Sequence, residues 1–232
     1  MIEAGLNLPE DQTAIISIKN RPVVLYIAQK LFDTAQFGHK KLHQLDANES
    51  LLLIENIAGQ IEKIWQFNRL KGEVLQLAID GQISNWVVGS GAFDGQIWYI
   101  DTSTPLFRLN GTEQMDPELI LKSAPSFLRI IIRKFFLDDV MDRYYIPALV
   151  YTDFVANLYK EQKPDLVAPA VDIINKSLTK KDRLTVNDIR SYYKEDKFIW
   201  SLFLTSRRLD RWIDTRLLRK RYEFLLPGKI KR

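Results

Sequence analysis

Residues 77–105 read LAIDGQISNWVVGSGAFDGQIWYIDTSTP: an acidic turn, a strand, a glycine-rich tip and a second strand that ends on an aspartate. The first strand, NWVV, begins at Asn85, and the second, IWYID, ends at Asp101. Because both ends of a hairpin lie on the same side, we expect Asn85 and Asp101 to lie close together at its open end. Asp80 precedes Asn85 in a tight loop that can fold back over that end.

These three side chains share one kind of chemistry. Two aspartates and an asparagine offer hard oxygen ligands for Mg²⁺, together with a carboxylate that can receive a proton. Phosphoryl transfer needs a metal that neutralises the phosphates and a carboxylate that orients the attacking hydroxyl. The hairpin therefore predicts a phosphoryl-transfer site.

The segments before the hairpin predict a β beginning and a long helix. TAIISIK (13–19) and VVLYIAQKLF (23–32) are β-rich runs joined by Asn20-Arg21-Pro22, which favours an antiparallel pair. FDTAQFGHKKLHQL then indicates a linker that enters a short helix. Asp46 and Glu49 have capping-box spacing, and apolar residues recur at helical intervals from there to Asn68.

The rest of the chain shows helical patterns around 117–143, 146–160, 166–178, 185–193 and 196–222. The fold class predicted from these elements is α+β and mainly α.

The spacing Asp80, four residues, Asn85, followed by Asp101 in YIDTS, resembles the catalytic half of the protein-kinase-like superfamily, closest to its aminoglycoside and choline kinase branch. In that superfamily an aspartate, four residues and an asparagine precede a hairpin that ends on a metal-binding aspartate. The resemblance implies that Asp80 is the catalytic base and that Asn85 and Asp101 hold Mg²⁺. SAPSFLR and NLYKEQ also resemble an uncharacterised bacterial family within this superfamily.

The same resemblance implies a fold and a nucleotide site. VVLYIAQKLFD is similar to the last N-lobe strand and hinge of the superfamily, so the backbone around Lys30 to Phe32 would meet the adenine of ATP. The implied fold is a kinase-like C-lobe with a catalytic-loop hairpin, preceded by a short β-hairpin remnant of the N-lobe. Residues 1–33 would form the N-terminal strands and hinge-like linker, and residues 34–232 the helical lobe with a basic C-terminal helix.

Three features differ from the kinase pattern. Ala78 and Ile79 stand where histidine with arginine or glycine usually precedes the base, and Gln82 stands in place of a lysine or histidine. No glycine-rich loop precedes the hinge, and Lys19 lies too near it to be the ATP-binding lysine of the N-lobe. Because positioning supplies most of the catalysis in this chemistry, an inactive pseudokinase-type binding module is an alternative to a phosphotransferase that acts on a small-molecule or protein hydroxyl.

The Asp-x4-Asn spacing also occurs at Asp182 and Asn187, beside a predicted helix start. There, Asn187 or Thr185 is a helix cap. A loop-stabilising role for Asp80 and Asn85 is the structural alternative to catalysis.

Composition sets outer limits on function. The chain has 232 residues, is 46% hydrophobic and contains no cysteine, which excludes disulfides, thiolate metal sites and cysteine nucleophiles. The apolar run FLRIIIRKFFL (127–137) is too short to span a bilayer, and the N-terminus has no signal-peptide pattern. We therefore expect a cytoplasmic protein.

The formal net charge of +4 is concentrated near the C-terminus. The basic residues Arg207, Arg208, Arg211, Arg216, Arg219, Lys220 and Arg221 predict a basic helix with Trp212, Leu217 and Leu218 opposite. Interleaved acidic residues favour a solvated helix end. Contact with nucleic acid or with an anionic membrane surface is the alternative.

Other candidate sites have weaker patterns. His39 and His43 have the spacing of two metal ligands on one helical face but lack a third ligand. Ser103 and Ser126 lack the frame of a serine nucleophile. The aromatic residues are predicted to be core: Trp65, Trp86, Trp98, Tyr99, Phe135, Phe136, Trp200 and Trp212.

Overall fold

The computed structural model describes residues 1–19, 24–90, 94–102, 106–116, 118, 121, 124–125, 128–129, 141–222 and 226. The predicted turn at Asn20 to Pro22, most of the helical pattern at 117–143, Ser103, Ser126, Phe135 and Phe136 lie outside these residues.

The described elements are mainly helical, with three small antiparallel sheets, which confirms the predicted α+β class. The strands are β1 (Asp11–Ile16), β2 (Val24–Gln29), β3 (Leu75–Leu77), β4 (Trp86–Val88), β5 (Ile97–Tyr99), β6 (Phe107–Leu109) and β7 (Thr112–Glu113). The α-helices are α1 (Gly38–Lys41), α2 (Ala47–Lys71), α3 (Pro147–Lys160), α4 (Val167–Ile174) and α5 (Val186–Trp212). None of the helices in the described part of the chain is long and apolar enough to cross a membrane.

Helix α2 has the start that its sequence predicts. The Asp46 side chain accepts a hydrogen bond from the Glu49 amide, and the Glu49 carboxylate accepts one from the Asp46 amide. Its apolar face packs against α3 and α4 to form the main core. The Tyr151 hydroxyl of α3 donates to the Ala58 carbonyl of α2 at 3.3 Å, which joins the two helices at the centre of that core.

The sheets pair as the strand patterns predict in two cases of three. β1 pairs with β2, from Asp11 opposite Gln29 to Ile16 opposite Val24, and β4 pairs with β5 as the central hairpin. The third sheet has the order β3-β6-β7 and was not predicted, because it pairs β3 with β6, a strand 30 or more residues further along the chain.

Two helical predictions need correction. The pattern at 185–193 and the first part of that at 196–222 belong to one continuous helix, α5, which ends at Trp212. A π-helical turn follows at Ile213–Leu217, and the predicted basic helix does not continue to Arg221. The residues between the two patterns, Lys194 and Glu195, are good helix formers, so nothing interrupts the helix there. Thr185 caps α5 by accepting from the Asp188 amide at 3.2 Å, which confirms the capping interpretation of that region.

The aromatic prediction is correct only in part. Trp65, Trp86 and Tyr99 are buried, whereas Trp200 and Trp212 of α5 are 40% and 54% exposed. Trp98 is half-buried. Helical spacing alone cannot distinguish a face that meets the core from a face that extends beyond it.

An asparagine side chain joins the end of α2 to the strand that leads into the hairpin loop. The Asn68 amide nitrogen donates to the Leu77 carbonyl at 2.7 Å, and its oxygen accepts from the Leu77 amide at 2.8 Å. Asn175 makes the same pair of bonds with Leu184, at 2.9 and 2.8 Å.

We expect Asn68→Ala to lower the free energy of unfolding by about 2 kcal/mol, because the peptide groups of the buried Leu77 lose both partners. Urea denaturation measures this loss. Asn175→Ala is the matched control: it should cost a similar amount of stability without changing any property of the hairpin site. Equal changes of site properties in both variants would contradict a local role for Asn68.

Candidate functional site

The loop before the hairpin is held from several sides. Phe37 pairs with Val87 as an isolated bridge, and Gly38 lies so close that a Cβ atom would be 2.6 Å from the Ile83 carbonyl oxygen. A Cβ on Gly81 would meet side chains of α2 and α3 at 3.1 Å. The buried Trp86 indole donates to the Gly81 carbonyl at 3.3 Å. The loop is therefore packed tightly against both helices.

The structure brings Asp80, Asn85 and the residues next to Asp101 together. The Asn85 side-chain nitrogen donates to the Asp80 main-chain carbonyl at 3.2 Å. The Asn85 carbonyl accepts from the Ile100 amide at 3.0 Å, which joins the two ends of the hairpin. Asn85 does not open strand β4 as predicted: it ends a 3-10 turn, Ile83–Asn85, directly before it.

The pKa of Asp80 lies well above the usual value for an aspartate. The pKa of Asp80 is raised to about 6, chiefly by burial and also by the charges of Asp153 and Asp101, against a hydrogen bond from the Gln82 amide and the charge of Lys160. The Gln82 amide donates to Asp80 Oδ1 at 3.0 Å and orients the carboxyl group. Burial also raises the pKa of Asp101.

A nearby tyrosine belongs to the same environment. Burial and then the charge of Asp80 raise the pKa of Tyr144 to about 12. The Tyr144 carbonyl accepts from the Ile79 amide at 3.1 Å, so the chain before α3 lies directly beside the Asp80 loop.

Helix α3 contributes polar residues that sequence reasoning did not identify. Asn157 accepts from the Ile83 amide at 3.3 Å and donates to the Asp153 carbonyl. The Lys160 ammonium lies 3.6 Å from the Asp153 carboxylate and 3.3 Å from that of Asp196, and all three side chains are less than 15% exposed. The signal in the sequence is Asp153, Asn157 and Lys160 at spacings of four and three on an apolar helix.

The Asp153 carboxylate has a further partner from α5. The Tyr192 hydroxyl donates to it at 3.0 Å, and the Arg143 guanidinium donates to the Tyr192 oxygen. This network joins α3 to α5, and its two bonds span 39 and 49 residues of sequence.

The predicted adenine-binding segment is only partly next to the hairpin. The Gln29 side chain donates to the Ile100 carbonyl at 3.0 Å and to the Thr102 hydroxyl at 2.9 Å, on either side of Asp101. The Phe32 ring lies 5.7 Å from the Trp98 ring of β5. Lys30 is exposed, and its amide donates to the Glu10 carbonyl at 2.8 Å.

The described residues contain no group of three or more histidine, cysteine, aspartate or glutamate side chains that could hold a metal ion. His43 pairs with Glu161 at 3.2 Å, and His39 is half-buried. A cation at the hairpin would therefore depend on Asn85, on one or two carboxylates and on oxygens from a substrate.

These features define a mainly helical α+β protein with a partly buried carboxylate site at the open end of a hairpin. The chain belongs to the DUF6206 family, a family of unknown function, whose model matches residues 1–211. No curated protein and no solved structure matches the chain.

Proposed function

We propose that this protein transfers the γ-phosphoryl group of ATP to a hydroxyl of a small molecule or protein, with Mg²⁺ bound at the hairpin. One observation carries the proposal: Asp80, Asn85 and Asp101 belong to a single loop and hairpin end, linked by the Asn85 hydrogen bonds and by the effect of the Asp101 charge on Asp80. The proposal includes the kinase-like C-lobe that the sequence resemblance implies.

Asp80 is the residue that would accept the proton of the acceptor hydroxyl. A proton acceptor is most effective when its pKa lies near the working pH, and burial brings the pKa of Asp80 to about 6. The Gln82 amide holds Oδ1, and the other carboxyl oxygen would accept the proton. Asp80 would thus orient and deprotonate the acceptor.

Asn85 and Asp101 are the residues that would hold Mg²⁺. The Asn85 nitrogen donates to the Asp80 carbonyl, and this bond identifies the other amide atom, the oxygen, as the possible ligand. Asn85 and Asp101 supply only two hard oxygen ligands, the number typical of sites that bind Mg²⁺ together with substrate phosphates. When bound, the ion would neutralise charge on those phosphates.

Lys160 offers a positive charge that the loop itself lacks. Gln82 is neutral, whereas the charge of Lys160 reaches Asp80 and lowers its pKa. Because Asp153 and Asp196 hold the ammonium group, its position is well defined. We assign Lys160 a positioning role: by pairing with Asp153 and Asp196 it offsets part of the carboxylate charge near Asp80.

The binding step is tested by thermal unfolding with ATP and Mg²⁺ together and separately. ATP with Mg²⁺ at about 100-fold excess over its Kd should raise Tm by about 5–10 °C, because a ligand that binds only the folded state stabilises it. Mg²⁺ alone should give a much smaller shift, because without the phosphates of ATP the protein supplies few oxygen ligands for the ion. Asp101→Asn should abolish the shift, and Asp182→Asn, from the other Asp-x4-Asn pair, should retain it.

The chemical step is tested with water as the acceptor. Mg²⁺-dependent release of phosphate from ATP should fall about 100-fold or more in Asp80→Asn, while the thermal shift persists. A shift without phosphate release in the intact protein would favour the pseudokinase-type module. The absence of any shift in the intact protein would contradict the phosphotransferase and favour a scaffold role.

A further inference from the structure

The second half of α5 exposes a row of large apolar side chains. Phe198, Leu202, Leu209 and Trp212 are 69%, 56%, 51% and 54% exposed. Their spacings of four, seven and three place them within about 80° of one another on a helix with 3.6 residues per turn. This face, which we call the α5 apolar face, extends over about 21 Å.

Basic residues outnumber acidic ones around the C-terminal end of this face, where Asp210 and Asp214 are interleaved with them. Arg208 lies one turn before Trp212, and the exposed Leu217 and Leu218 follow in the π-helical turn and just after it. The exposed cations of this region are Arg208, Arg211, Arg216, Arg219, Lys220 and Arg221. Tyr222 folds back on the helix through its hydroxyl, which donates to the Arg207 carbonyl at 3.4 Å.

We propose that this end of α5 binds the surface of an anionic lipid bilayer, with the helix lying in the interface. Apolar and aromatic side chains enter the boundary between headgroups and acyl chains, and arginine side chains reach anionic headgroups from their edge. Tryptophan and leucine flanked by arginine are the residues that this environment accommodates together.

Charge favours a bilayer over two other partners. A second copy of α5 in parallel orientation would cover the apolar face, but it would also bring the six cations of each chain near one another. Nucleic acid would neutralise the arginines, but its phosphate backbone offers no water-free site for Phe198, Leu202 and Leu209. A bilayer surface of anionic lipid, in contrast, uses both the apolar side chains and the cations.

Co-sedimentation of the full chain with vesicles tests this proposal. We expect binding to vesicles of phosphatidylcholine with phosphatidylserine, weaker binding to phosphatidylcholine alone, and loss of binding as salt increases. The triple change Arg208→Gln, Arg211→Gln and Arg216→Gln should lower the partition coefficient about 100-fold. Leu209→Ser combined with Trp212→Ser should also weaken binding strongly, and both residues are exposed enough for the fold to tolerate the change.

Matched controls keep the test specific. Lys180→Gln, Lys181→Gln and Arg183→Gln remove the same charge from exposed positions elsewhere, and Leu31→Ser combined with Leu70→Ser removes apolar side chains that are 92% and 85% exposed. Both controls should bind vesicles as the unmodified chain does.

Four results would overturn the proposal. The first is no binding to phosphatidylserine vesicles, and the second is unchanged binding after the serine substitutions. The third is binding of a generic oligonucleotide in preference to vesicles. The fourth is a dimer in sedimentation equilibrium that the serine substitutions dissociate.

Discussion

Trp86→Ala should lower the free energy of unfolding by about 3–5 kcal/mol, the largest stability change we expect from one substitution in the hairpin. The Trp86 ring is fully buried, lies 5.0 Å from the Tyr99 ring and donates its N–H to the Gly81 carbonyl. Truncation would leave a cavity and remove the donor of a buried carbonyl. Urea denaturation measures the loss.

Two further variants make this prediction specific. Trp86→Phe keeps a ring in place and removes the hydrogen bond, so it should cost less than the alanine variant and remain folded. Trp212→Ala makes the same chemical change at a residue that is 54% exposed, and its effect on stability should be within about 0.5 kcal/mol. A loss below about 1 kcal/mol in Trp86→Ala would show that the hairpin does not depend on this anchor.

The position of Trp86 explains why stability and site geometry are coupled. Its backbone belongs to β4, and its indole holds the loop that carries Asp80. A variant that weakens this bond should therefore lose the proposed nucleotide binding before it unfolds.

Local signals in the sequence predicted those parts of the fold that form among neighbouring residues. The capping box of Asp46 and Glu49 gave the start of α2 because both partners lie within one helical turn. The glycine-rich tip and the flanking β-rich runs gave the β4-β5 hairpin for the same reason. Asp80 and Asn85 were found because they lie five residues apart in one loop.

Contacts between distant segments were not predictable in this way. Tyr192 meets Asp153 across 39 residues, and nothing in either local sequence indicates the other. The pairing of β3 with β6 also joins remote segments, through only three residues on each side. Which face of a helix is buried also depends on contacts between distant segments. Trp65 and Trp212 occur in similar helical patterns, but only Trp65 packs in the core.

Burying the Asp80 carboxylate should cost folding stability, and replacing it with an uncharged isostere would measure that cost. The pKa of Asp80 rises from 3.8 to about 6 on folding, mainly through burial. Below pH 4 the group is protonated in both the folded and the unfolded state. Between pH 4 and 6 the unfolded chain releases the proton first, so folding stability falls as pH rises. Above pH 6 the penalty is complete, at about 3 kcal/mol.

Asp80→Asn should therefore stabilise the protein by up to about 3 kcal/mol at pH 7.5, and the gain should vanish near pH 4. The asparagine oxygen can still accept the Gln82 hydrogen bond, so the substitution removes the charge and little else. Urea denaturation at several pH values gives the difference between the variant and the unmodified protein. Asp182→Asn controls for the chemical change at a position outside the site.

The same experiment distinguishes a structural role of Asp80 from a role in the proposed reaction. A loop-stabilising role needs only an oxygen that accepts from Gln82, and an asparagine would fill it without the penalty of a buried charge. A more stable Asp80→Asn variant that releases no phosphate from ATP would mean that the charge costs stability and serves the reaction. A variant that is less stable at every pH would instead make Asp80 a structural residue, and the proposed proton acceptor would have to be sought elsewhere.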